Sequence, residues 1–250
     1  VKRILSEVPV EADGSVNFKV PVGRSLYFQL LDDRHRCLQT MRSFTGVMPG
    51  EQRGCVGCHE LHGSTPPRKT GLAFRRQPTD LTPPPWGTKS ISFERFVQPT
   101  LDKYCGECHQ GEGEGREAVD LTSRPGVNVF KEPYLTLVGA AGWHNPVPGT
   151  ADKGGYGIAG AIPVENMTGP EAYQTLPPMQ YLSFKSKLIE ISADGQHYDT
   201  KVDPLSLRKL MAWVDACCPY LGEEEVRALD DPSFAGIEDL PIRPRVKTAP

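Results

Sequence analysis

The chain has 250 residues, with 25 Gly and 24 Pro, together about a fifth of the total. Both residues break long helices and their placement is scattered, which excludes a coiled coil, a regular helical bundle and collagen. A formal net charge of −3 gives no basis for nucleic-acid binding, and no apolar run approaches the ~18 residues that cross a bilayer.

In chain order, Val8, Val10, Val16, Phe18 and Val20 alternate with polar residues around an Asp13-Gly14 turn, a pattern of paired strands. A third run, Leu26 to Leu31, ends at Asp32-Asp33, and a fourth extends from Cys37 to Phe44. Four short strands with tight turns predict a small antiparallel β-sandwich over residues 1–65. Residues 66–90 contain Pro66-Pro67, Pro78 and Pro83-Pro84-Pro85 and read as an extended linker. From residue 91 the period changes. Ser92 is placed to cap a helix in which Phe93, Phe96, Val97, Leu101 and Tyr104 share a face. Residues 120–180 are rich in Gly and Pro, with a short helix near 134–138. A second helix is expected over 184–193. Asp203-Pro204 reads as an N-cap and first helical residue, opening the best helix of the chain, Leu205 to Cys217, with Leu207, Leu210, Met211 and Val214 as its apolar stripe. The fold class is therefore α+β in two units. The sandwich comes first, a mainly α, loop-rich domain covers 91–222, and residues 223–250 add a short helix and an extended tail.

Four of the seven cysteines fall into two copies of one pattern. Cys55-Val56-Gly57-Cys58-His59 and Cys105-Gly106-Glu107-Cys108-His109 are both CxxCH. This is the attachment signature of c-type haem: two thiols add to the vinyl groups and the adjacent imidazole takes the iron. A zinc site or a redox dithiol would use the cysteines but leave the histidine after each pair unexplained. The expectation is two covalent haems, haem I on Cys55, Cys58 and His59, and haem II on Cys105, Cys108 and His109. Haem II follows a helix, as in small cytochromes c, whereas haem I hangs on the loop after a strand.

The second axial position of haem II has three candidates. His197 leads, in the polar turn Gly195-Gln196-His197-Tyr198-Asp199 between two helices; Met179, in the loop after Pro177-Pro178, is the alternative; His144 comes third. Bis-His ligation gives a lower potential than His/Met. For haem I, His62 is too close to His59 in sequence to reach the opposite face, and His35, Met41 and Met48 read as turn, core or loop residues. An open sixth position would let haem I take a small gaseous ligand. Cys37, Cys217 and Cys218 remain; they read as structural thiols, with a bridge from the adjacent pair to Cys37 as the alternative. Haem attachment occurs outside the cytoplasmic membrane, so a periplasmic or extracellular location is expected. The opening Val1-Lys2-Arg3-Ile4-Leu5 is no signal peptide and reads as part of a longer polypeptide.

The segments Val8-Pro9-Val10-Glu11-Ala12-Asp13-Gly14-Ser15, Tyr27-Phe28-Gln29-Leu30-Leu31-Asp32, Met41-Arg42-Ser43-Phe44-Thr45, Pro49-Gly50-Glu51 and Cys55 to Glu60 resemble the middle domain of the hydrazine synthase alpha-subunit-like family. Ser92 to His109, Gly195 to Val202, and Trp213-Val214-Asp215 followed by Pro219 to Gly222 resemble the cytochrome-c-like domain of the same proteins. The resemblance implies a fragment of a larger secreted protein that has a β-propeller ahead of it. It also implies a reactive five-coordinate haem on His59, and an electron-transfer haem held between His109 and His197. The synthase carries a tyrosine four residues after the first haem histidine, where this chain has Gly63. The expected role is a di-haem cytochrome module exchanging electrons with a redox partner protein. The alternatives are an enzyme fragment whose haem I converts a small nitrogen oxide, and a gas-binding sensor.

Overall fold

Turn chemistry sets the β half of the molecule. The computed structural model describes residues 2–41, 43–57, 70–126, 130–139, 158–159 and 177–228. Asp13-Gly14 turns the chain as expected, with Gly14 at φ 82° and its N–H donating to Glu11 O at 2.8 Å. Strand β1 (Gln29–Leu31) pairs antiparallel with β2 (Cys37–Thr40), with Gln29 opposite Thr40, Leu30 opposite Gln39 and a register shift between Leu30 and Leu31. Asp32 closes this hairpin: its carboxylate accepts from the Arg34 and Arg36 N–H groups and from the Arg36 guanidinium. A Leu26–Thr45 bridge prolongs the hairpin, and Phe18 makes an isolated parallel bridge to Thr79. Among the described residues, regular strand pairing goes no further than this two-stranded sheet. Val10, Val16, Val22, Phe28 and Leu30 stay exposed. The alternation is real, but no second sheet among the described residues lies over it.

The helical half is α1 (Phe93–Phe96), α2 (Gln98–Tyr104), α3 (Gly106–His109), α4 (Glu114–Ala118), α5 (Glu132–Val138), α6 (Lys187–Ala193), α7 (Pro204–Asp215) and α8 (Glu223–Ala228), with 3-10 turns at Leu72–Arg75 and Leu182–Phe184. The single helix expected over 91–109 occurs as three short ones. Pro99 sits in the first turn of α2, where a missing N–H costs nothing. Ser92 occupies the N-cap position of α1, but its hydroxyl donates to Glu225 Oε1 at 2.6 Å instead of capping. Asp203 caps α7 as expected, accepting from the Leu205 and Ser206 N–H groups, and Ser186 caps α6 through Ile189. Leu210, Met211 and Val214 of the expected stripe are buried, and Trp213 joins them at 0% exposure. Trp213 lies against Phe93 and Tyr134, which pack with Phe130 and Tyr220 into an aromatic core.

The two halves share their interior. Cys37 of β2 belongs to the same buried cluster as the helices, with Ile4 and Leu31 packed against it. The proline-rich segment is tied to both. The Leu72, Ala73 and Thr82 N–H groups donate to Asp13, Ser15 and Ser6 side chains, and Ile91 N–H donates to Lys2 O. Trp86 stacks edge-on to Phe96 and lies under the Arg208 guanidinium.

At the seam lies a buried carboxylic acid. Asp215, 4% exposed, accepts from Ser183 N at 2.9 Å and from Ser183 Oγ at 2.8 Å, while Cys37 N–H donates to the same hydroxyl at 2.8 Å. Burial pushes the Asp215 carboxyl up to about 7, against the hydrogen bonds from Ser183, which pull it down. A pKa raised on folding means that the folded state holds the proton more tightly. The stabilisation is complete below about pH 4 and is lost as pH rises to about 7. Asp215→Asn is neutral, keeps an acceptor oxygen for Ser183 N–H and turns its NH2 as a donor towards Ser183 Oγ. The variant should match the parent near pH 4 and exceed it by about 4 kcal/mol at pH 8, read from denaturant midpoints at the two pH values. Parallel curves for the two proteins would show that Asp215 is ionised in the fold.

Candidate functional site

Helices α2 and α3 bring the second CxxCH motif out of the aromatic core. Leu101 is buried, Cys105 half-buried, and Cys108 exposed, so the motif emerges at the surface one turn after its anchor. The His109 ring is held from behind. Its Nδ1 lies 3.0 Å from Gly115 O and 2.9 Å from Val119 O, both on the α4 segment. A carbonyl oxygen only accepts, so Nδ1 is the donor to both, and Nε2 is the ring nitrogen left for another partner. Leu121 N–H donates to His109 O, and Gln110 Nε2 to Leu121 O, pinning the same segment against α3. Gly115 permits the approach: a Cβ there would meet Cys108 O at 2.6 Å.

His197 faces this ring. The turn that carries it joins α6 to α7 and is closed by Val202 N–H donating to Ser192 O. Gly195, Tyr198 and Asp199 take φ of 72°, 49° and 58°, an unusual pair of left-handed side-chain-bearing residues directly after His197. The His109 and His197 rings are nearly parallel, 10° apart, with centroids separated by 6.0 Å. Tyr198 sits edge-on to His197 with ring centroids 5.1 Å apart and is 86% exposed. Tyr104 Oη donates to Asp203 Oδ2 at 2.6 Å, tying α2 to the start of α7. Bonds from Ser206 and Tyr104 hold the Asp203 carboxyl well below the usual carboxylate range, so this lock is ionised at all physiological pH.

The other candidates lie elsewhere. Met179 is 47% exposed, at φ 61°, with its N–H donating to Leu38 O on β2. His35 sits in the β1–β2 turn with Nδ1 2.8 Å from Glu7 Oε2. Met48 is exposed and Met211 is core. Cys55 is exposed, while Cys58, His59, His62, Gly63 and His144 lie outside the described residues. No cluster of three or more His, Cys, Asp or Glu side chains with metal-binding geometry occurs among the described residues.

Burial pushes the Cys105 thiol up to about 11, and the neighbouring Cys108 adds to this. A thiol kept neutral is not the activated nucleophile of a dithiol redox site. The groups that sequence reasoning missed are the Gly115 and Val119 carbonyls. The sequence offers residues 111–115 only as a flexible acidic loop; the signal was the glycine itself, needed for a close backbone approach.

Residues 1–60 match the family model described as the hydrazine synthase alpha subunit middle domain. No curated protein and no solved structure matches the chain.

Gly115→Ala should force α4 away from Cys108 and weaken the Nδ1 anchor of His109, at a cost of roughly 1–3 kcal/mol. The test pairs the melting midpoint with the nitrogen resonances of His109. A stability loss without any change at His109 would separate α4 packing from ring orientation.

Proposed function

We propose that the chain is a di-haem c-type cytochrome module that passes electrons between redox partner proteins outside the cytoplasm. The observation that carries the reading is the pairing of His109 and His197. The rings lie near-parallel with centroids 6.0 Å apart, a separation at which both imidazoles could serve one metal ion at ordinary metal–nitrogen distances of about 2 Å. The residues present fit a haem. Cys105 and Cys108 would carry the thioether bonds, and His109 and His197 would be the imidazoles that hold the iron. Haem bound there supplies one-electron chemistry at the iron, at the lower potential that two imidazoles favour over a His/Met pair. The chain's own contribution is orientation. Gly115 and Val119 fix the His109 tautomer and ring angle, a backbone anchor that raises ligand basicity. The turn around His197, with Tyr198 and Asp199 both left-handed, sets the second ring near the first. In the β-rich half, read as a small sandwich, Cys55, Cys58 and His59 would hold the first haem.

The match of residues 1–60 to the hydrazine synthase alpha subunit middle domain favours a second reading. In it the chain is a fragment of a haem enzyme of nitrogen-compound metabolism, whose first haem takes a small ligand and is supplied with electrons through the second. A gas-binding sensor would share that open position without turnover.

One set of spectra tests these readings. The reduced protein, with and without carbon monoxide, should show two haems. If neither binds carbon monoxide, the module is an electron relay; if one does, the enzyme and sensor readings gain and turnover with an electron donor separates them. His197→Ala should convert the second haem to a high-spin, ligand-accessible form. A low-spin spectrum unchanged in that variant would remove His197 from the site and promote Met179.

A further inference from the structure

Tyr198 stands directly after His197 and is 86% exposed, with its ring edge-on to the imidazole and the centroids 5.1 Å apart. An aromatic ring left this open forgoes the burial that folding favours. Its backbone adds a second cost. Tyr198 is left-handed at φ 49°, in a region that glycine or asparagine enters more cheaply. The His197 ring in turn lies 6.0 Å from that of His109. His109, His197 and Tyr198 thus form a series that starts at the second CxxCH motif and ends in an open aromatic ring.

The charges beside this series are mostly of one sign. Glu107, Glu112 and Glu114 flank His109, Asp194 and Asp199 flank His197, and all five are exposed. Within the same segments, 105–115 and 194–201, Lys201 is the one basic residue. The whole chain carries a net charge of −3, so negative charge gathers here while the remainder is close to balanced. Lys103, on α2, lies 3.9 Å from Asp203 Oδ2 and over the Tyr104 ring, where its charge is answered locally.

We propose that Tyr198 and the acids around it form the docking face for a redox protein whose own cofactor edge is ringed by lysines. An exposed tyrosine supplies the large, stiff contact that dominates protein interfaces. The carboxylates steer and orient a positively charged partner, and repel one with an acidic face. The face takes its purpose from the electron-transfer reading and seats the partner against the ring that touches His197.

The test measures binding of the full chain, produced in a haem-attaching host, to two probes by titration calorimetry. One probe is a lysine-faced mitochondrial cytochrome c, the other an acidic flavodoxin. Cytochrome c should bind at low salt, with Kd rising by roughly tenfold between about 10 and 150 mM salt. Absence of binding at low salt, or flavodoxin binding as tightly, overturns the proposal. Tyr198→Asn removes the ring and keeps a residue suited to the left-handed backbone. It should weaken cytochrome c binding by roughly tenfold and leave the haem spectrum unchanged. Phe74→Ser, at an exposed ring on the 3-10 turn Leu72–Arg75, should bind as the parent does. Equal binding by parent and Tyr198→Asn overturns the docking face. So does a loss accompanied by a changed haem spectrum, which would make Tyr198 a positioning residue for His197. Haem content and the His197→Ala spectrum test the underlying reading separately, because binding is read from heat and not from the iron.

Discussion

Burial of one face of α7 is the constraint on which the rest of the molecule depends. Trp213, with no exposed surface, packs against Phe93 at the start of α1 and Tyr134 of α5. Side chains of this size dominate a core by area alone, each removing on the order of 150–250 Å² from water. The consequence is positional. The aromatic contact fixes α1, which sets the direction of α2 and α3 and so the place of Cys105, Cys108 and His109. The N-terminal end of α7 is capped by Asp203, and that carboxylate also takes the Tyr104 hydroxyl, so the cap of one helix is the tether of another. His197 stands in the turn just ahead of this cap. One helix thus brings together two rings that lie 88 positions apart in the chain, from His109 to His197.

The opposite end of α7 joins the two halves. A carboxylic acid, a serine hydroxyl and a strand N–H form a closed chain of bonds there, with the Gln29 side chain and the Lys2 ammonium on the neighbouring carbonyls. Buried polar groups of this kind cost desolvation unless every one is partnered. Here the partners come from both halves, so separating the halves would expose the whole set at once. The β half has little core of its own among the described residues, and several of its apolar side chains face outward. Its order rests on this seam and on the side-chain bonds that hold the proline-rich segment along it.

Much of the helical half was legible in the sequence. The Asp203-Pro204 start, the apolar stripe of α7 and the change of period at residue 91 are local signals with local causes: a side-chain cap, a fixed proline φ and a 3.6-residue repeat. The two CxxCH motifs are legible for the same reason, since their chemistry is written in five consecutive residues. The β half was less so. Alternation at Val8 to Val20 is compatible with any strand that finds a partner, and partners are chosen by residues far away, here Thr79 for Phe18 and the hairpin strand for Gln29.

The sequence by itself determined the identities of the candidate ligands, the helix that delivers His109 and the cap that starts α7, because each is fixed by neighbours within a few residues. Tertiary structure alone decided which second ring meets His109 and which carbonyls hold its Nδ1. Those are questions of distance between segments far apart in the chain. Packing around Trp213 and the close approach at Gly115 settle them.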